Sequence, residues 1–377
     1  MTIPASARRN ARKLLGILLF LAAGSLLGYA LGTLVKPSAD TAAELSTPAK
    51  AARVAALVGV AYLGVAAHEL GHVVGGLSQG FAFLFWAAGP LWVERSRGRL
   101  HVRLNRTPAT WGGVAATMPR DARDLARRFA VVVASGPLAS LLLAVVGALA
   151  WLALPDGLAR FAAGSLAVVS AALFLATAQP FGAGSGFHSD GGRLRRLLSR
   201  GELAEQEAAM LALMSFAMSG VRPRDWPAAT LATASSVADS SALEAAVALV
   251  AAQYALDTGR PEDAHVQLER GLSLGSRIGP LARAPLAAEA AFFFAWVRRD
   301  AVRARALLAD AHGPFVERHR VARAEAATRL AEGNLEGARE AARRALGEAE
   351  RPRFEANPMD LELSQAVLEA ATLPPAG

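Results

Sequence analysis

The sequence predicts an all-α polytopic membrane protein of about four transmembrane helices, with a small β-hairpin at the membrane face and a C-terminal α-helical repeat domain. Three observations carry this prediction. Four long apolar runs occupy the first half, each near the 20 or so residues that span a bilayer core. One run contains His68-Glu69-Leu70-Gly71-His72, titratable groups that are costly inside a membrane unless they act there. From about residue 201 the apolar runs shorten, charge returns, and a turn-plus-helix pattern recurs. The composition agrees: 53% of the 377 residues are hydrophobic and only 19% are charged, which departs from a soluble average toward the membrane class.

The first run, 14–35, follows a basic leader and carries no charge. Its length favours a retained anchor over a cleaved signal peptide, the alternative that shares a basic start and an apolar run. A polar loop, 36–52, leads to the second run at 53–78, which bears the two histidines toward its far end. Residues 79–127 differ in kind. Leu100, Val102 and Leu104 alternate with His101, Arg103 and Asn105 after a Ser96-Arg97-Gly98-Arg99 turn, the period of a strand in a hairpin. The aromatic group Phe81, Phe83, Phe85, Trp86 and Trp92 reads as an interfacial anchor. Runs three and four cover 129–154 and 161–180, joined by a Pro155-Asp156-Gly157 turn.

Four spans put both termini on one side. The basic leader, the arginines of 79–127 and those at 193, 195 and 196 all fall on that side, while the opposite loops carry little net charge. The positive-inside rule therefore predicts a multi-pass protein of the cell (inner) membrane with both termini cytoplasmic. Lys13, Lys36 and Lys50 are the only lysines, so the net charge of +8 comes from arginine; lipid is an expected partner, and no nucleic acid is.

The domain expectation is 1–200 in the membrane and 201–377 as a cytoplasmic helical region. Within the latter, segments starting at Gly259, Arg298 and Gly333 align on Ala264, Ala304 and Ala338, at steps of 40 and 34 residues. The second interval equals the tetratricopeptide period, so the region resembles a degenerate tetratricopeptide-like array; a plain helical bundle is the alternative. Such an array would dock a cytoplasmic protein partner. Carrying no catalytic cluster, it is expected to leave metal bound when 205–377 are removed.

Positions four apart share a helix face, so His68 and His72 can both reach one metal ion. Two imidazoles suit Zn²⁺, which needs a third protein ligand and one water for hydrolysis. Glu69 can flank that water as general base. The chain has no cysteine, which leaves His, Asp and Glu as zinc ligands. Asp190, in His188-Ser189-Asp190-Gly191-Gly192, falls at a depth similar to His68 and His72, and His188 is its competitor. His101, His265, His312 and His319 have no partner at ligand spacing and read as surface residues.

With HELGH in one span and an Asp-Gly motif beyond a later one, residues 50–195 resemble the site-2 protease family of intramembrane zinc metalloproteases. Ser135-Gly136-Pro137-Leu138-Ala139 also resembles that family's Gly-Pro segment. The resemblance implies a Zn²⁺ cofactor held by His68, His72 and Asp190, Glu69 as the catalytic base, and a transmembrane protein as substrate. It also marks departures. Ser140 stands where the family commonly has asparagine, and Thr177-Ala178-Gln179-Pro180 replaces an Asn-x-x-Pro run. Gln179 and Ser140 are then the residues available to stabilise the oxyanion. A catalytically inactive relative acting as a membrane scaffold is the alternative function. A metal-handling membrane protein is disfavoured, because the third and fourth spans have almost no polar residues to line an ion path.

Overall fold

The computed structural model describes residues 46–96, 98–180, 188–199, 201–313, 315–350 and 357–372. The apolar run at 14–35 lies outside them. The described chain is mostly helical, with thirteen α-helices and a four-stranded antiparallel sheet. Three helices are long and apolar enough to cross a membrane: α1 (Thr47–Ser78), α2 (Leu125–Ala153) and α3 (Leu158–Ala178). They match the second, third and fourth runs read from sequence to within a few residues, except that α1 starts six residues earlier than 53. Pro48, beside the helix start, has no N–H to satisfy there and suits that place.

The helices pack closely because small residues face one another. Gly71 and Gly75, four apart on α1, lie against Ser135 and Gly136 of α2, where a Cβ on either glycine would collide. Small residues at this spacing let membrane helices approach to backbone distance. The contact presses the His72 face of α1 against α2.

The region between α1 and α2 corrects the sequence reading. It is more than a hairpin: β1 (Ala82–Ala88), β2 (Leu91–Ser96), β3 (Arg99–Leu104) and β4 (Val114–Met118) form one sheet in the order β3-β2-β1-β4. The expected hairpin is β2–β3; β4 lies in a stretch that reads as polar loop because it is short and alanine-rich. One face carries Phe85, Ala87 and Trp92, all buried. Through Trp86, whose indole N–H donates to the Ala66 carbonyl at 3.3 Å, the other face rests on α1. That α1-facing side continues outward by register from Trp86 to Val93 and Val102. At the β3 edge it ends in exposed Leu100, Val102 and Leu104, an apolar row suited to lipid. The aromatic group is also corrected: Phe81, Phe85 and Trp92 are buried interior residues, Phe81 in a core with Phe129 and Leu211, and Phe85 stacked on Trp92 beneath Phe315.

The remaining helices are α4 (Asp190–Leu198), α5 (Glu202–Met218), α6 (Ala228–Ser235), α7 (Ala242–Asp257), α8 (Pro261–Ile278), α9 (Pro280–Trp296), α10 (Ala301–Asp310), α11 (Arg318–Ala331), α12 (Leu335–Ala349) and α13 (Pro358–Thr372). The turns before α8, α10 and α12 each contain a residue at positive φ, namely Gly259, Arg299 and Gly333. A left-handed residue ends one helix and lets the next fold back on it. Ala264, Ala304 and Ala338, the residues aligned above, are all buried. The boundary near residue 200 is crossed by packing: Leu211 and Ala212 of α5 share a core with Phe81, Phe129 and Leu197.

An ionic cluster joins α9, α11 and α13. The buried Arg323 donates to Glu289 at 3.0 Å and also to Asp360. Arg320 donates to Asp360 at 3.1 Å, and the His319 ring lies 3.4 Å from the same carboxylate. His319 therefore departs from the expected surface role: α13 covers the start of α11 and encloses it. Burial opposes ionisation of Asp360, yet Arg320 and Arg323 outweigh it and hold the carboxyl well below the usual range. A depressed folded value means the stabilisation is present above about pH 4, the unfolded value, and is lost as pH falls through the folded one. Asp360→Asn leaves buried guanidinium charge uncompensated and should cost about 3–5 kcal/mol. Thermal unfolding of the full chain in detergent should show a lower midpoint at pH 7 and a weaker dependence on acid; an unchanged midpoint would refute the role.

Candidate metal centre

His68 and His72 lie ten and six residues before the end of α1, which puts them roughly 15 and 9 Å inside it. Each ring is held from behind. The His72 Nδ1–H donates to the Val132 carbonyl of α2 at 2.9 Å, which leaves Nε2 with its lone pair outward. His68 Nδ1 is 2.9 Å from the Ser140 hydroxyl, itself fully buried. Such partners fix ring orientation and tautomer in metal-binding histidines. Gly136 is needed here because a methyl group would occupy the place of the His72 imidazole.

The third group arrives from α4. Asp190 is its first residue, and Ser189 caps it by accepting from the Gly192 N–H at 3.1 Å. The same Ser189 hydroxyl donates to the Gln179 carbonyl at the end of α3. Gly191 lies so close to the Ala178 and Gln179 backbone that no Cβ fits. The Ser-Asp-Gly-Gly string thus has a division of labour: a cap, a carboxylate, and a glycine that allows α4 to seat on α3.

These constraints bring three groups together. His68 Nε2 lies 3.1 Å and His72 Nε2 3.6 Å from Asp190 Oδ2. Tetrahedral zinc with bonds of ~2.0–2.1 Å places such ligand atoms ~3.3–3.4 Å apart, which the two distances bracket. The donor set, two imidazoles and one carboxylate within 4.8 Å of one another, suits zinc. Burial resists ionisation of Asp190, and its contacts with the His68 and His72 imidazoles outweigh it, bringing the carboxyl down to about 2. The carboxylate is therefore charged throughout the working pH range.

Glu69 lies one residue round the helix, against Gly113 at the start of β4, where φ is +100° and any Cβ would strike the carboxylate. Glu69, His68, His72 and Asp190 line one end of a cavity of about 930 Å³. Residues 113–118, including all of β4, line the same cavity. Being last in the strand order, β4 has one edge unpaired within the sheet.

Of the residues singled out from sequence, His68, Glu69, His72 and Asp190 converge. His188 lines the cavity but is directed elsewhere: its Nε2 lies 3.6 Å from Asp239 and 3.4 Å from the Arg196 guanidinium. Ser140 stands behind His68, and Gln179 touches the centre through its backbone acceptance from Ser189. Sequence reasoning missed the brace on α4. Arg196 pairs with Glu207 of α5 at 3.2 Å and with Asp239 at 2.7 Å, and Arg193 pairs with Glu207 at 3.2 Å. Glu207 is buried opposite this basic helix, a long-range placement that no sequence pattern signals. No protein-family model, curated protein or solved structure matches the chain. The functional reading therefore rests on the geometry of these residues.

Proposed function

We propose that this chain is an intramembrane zinc metalloendopeptidase of the site-2 protease type, hydrolysing peptide bonds within or near transmembrane segments of other proteins. The convergence of His68, His72 and Asp190 beside Glu69, at the end of a cavity walled by a strand edge, is the observation that carries it. His68, His72 and Asp190 would hold zinc, which when bound polarises the scissile carbonyl and acidifies a water molecule. Glu69 takes the proton of the attacking water and passes it to the leaving amine. It lies against Gly113, just before β4, and lines the same cavity as the three proposed ligands.

A transmembrane helix hides its amides in internal hydrogen bonds, so cleavage requires a locally unwound segment and something to hold it. The free edge of β4 offers backbone donors and acceptors for strand addition next to Glu69. Both termini are cytoplasmic in this reading, and the helical region is a tetratricopeptide-like array exposed there to a protein partner.

Metal analysis of the purified chain, together with cleavage of co-expressed single-span membrane proteins, tests the proposal. About one zinc per chain and fragments cut within the span are expected. Zinc without cleavage of any span would favour the inactive scaffold; no zinc would end both readings of the centre.

A further inference from the structure

We infer that the helical region forms half of the substrate site: facing stripes on α7 and α9 decide which side chains the cleaved segment can carry. The inference rests on the protease reading and adds the substrate class, an extended apolar segment able to carry large side chains toward the helices. The cavity does not end at the membrane helices. It runs without interruption from the metal cluster and β4 to Ala242, Ala246 and Leu249 of α7 and to Leu281, Ala282 and Pro285 of α9. Ala242, Ala246 and Leu249 recur at four and three residues, so they form one face of α7. The α9 trio is likewise spaced to share a face.

Three features make this a substrate wall and not a packing gap. The cavity is continuous with the proposed catalytic groups, so a segment that fills it from the cluster meets α7 and α9. β4, five residues with one edge unpaired within the sheet, lines the same cavity and matches about 17 Å of extended peptide. A peptide added there alternates its side chains, and one set points away from α1, toward the helices. Finally, chemistry is divided along the cavity. The titratable lining groups cluster at the metal end, whereas the α7 and α9 stripes are wholly apolar. An apolar segment fits that division and a charged one does not. Half of the six stripe residues are alanine, so free volume that admits a side chain exists where these positions lack one. Phe315, tilted over Phe85 with ring centroids 5.7 Å apart, borders the same space.

Ala246 and Ala282 are half-buried lining residues, so enlarging them fills the cavity without opening the helix core. The test uses single-span reporters whose cut segment carries alanine, leucine or phenylalanine at successive positions. Ala246→Phe and Ala282→Phe should keep wild-type zinc and lower cleavage of the phenylalanine reporter relative to the alanine reporter by about tenfold or more. Ala246→Val and Ala282→Val should give a smaller shift in the same direction and serve if the larger substitutions disturb folding. A photo-crosslinking residue at position 246, placed in the Glu69→Gln background, should capture the reporter. Equal loss for all reporters, the mark of a lipid-filled or structural cavity, would overturn the inference and leave the protease reading intact. Absence of cleavage by the wild type would defeat the protease reading, and this inference with it.

Discussion

Glu69→Gln should leave zinc content at the wild-type level and lower cleavage by roughly 10²-fold or more, the usual scale for removing a general base. The substitution preserves volume and hydrogen bonding but cannot accept a proton near neutral pH. Glu69 is not among the three groups that converge on one point, so metal retention should not depend on it. The measurement is a pair of readings on one preparation: metal stoichiometry and reporter turnover. Loss of zinc in this variant would make Glu69 a ligand and undo the assignment of Asp190. Unaltered turnover would remove Glu69 from the chemistry altogether.

A second large effect separates ligand from brace. His72→Ala and Asp190→Ala should each lose zinc and cleavage together, because three protein ligands are the ordinary minimum for a catalytic zinc. His188→Ala should keep the metal, since its ring engages Asp239 and Arg196. Deletion of the helical region now carries a different expectation from that drawn from sequence alone. Asp190 stands at the start of α4, and α4 is held by Glu207 and Asp239 through Arg193 and Arg196. Glu207 is buried, so removing it leaves enclosed guanidinium charge without its partner, a loss of about 3–5 kcal/mol. Removing residues 201–377 should therefore deplete zinc, and Glu207→Gln with Asp239→Asn in the full chain should weaken zinc retention on dialysis against a chelator. Full zinc occupancy in both would show that the membrane helices organise the centre unaided.

The legible parts of this chain were those with short-range causes. The three described spans follow from unbroken apolar runs, and His68 and His72 share a face because helical spacing requires it. Asp190 was singled out by its depth, similar to that of His68 and His72, and by the resemblance of its Asp-Gly motif to that of site-2 proteases. What escaped was long-range. β4 is a short alanine-rich stretch whose identity as a strand depends on pairing with Phe85 and Trp86, some thirty residues away. His319 reads as exposed until α13 folds over it and Asp360 meets its ring. The brace on α4 joins Arg196 to Asp239 across 43 positions, and no periodicity announces such a pair. Ser140 was visible as a departure from a pattern, but its hydrogen bond to His68 depends on how α2 leans against α1.

The brace also sets an order of assembly during translation. His68 and His72 enter the bilayer with α1, well before Asp239 has been made. At the usual pace of synthesis the interval between His72 and Asp239 is roughly 10–30 s. During it the nascent chain has two histidines in place and α4 without its anchors. In the proposed protease, the completed centre would become available only after the helical region has begun to fold, and a half-made chain would be a poor hydrolase for the proteins inserted beside it.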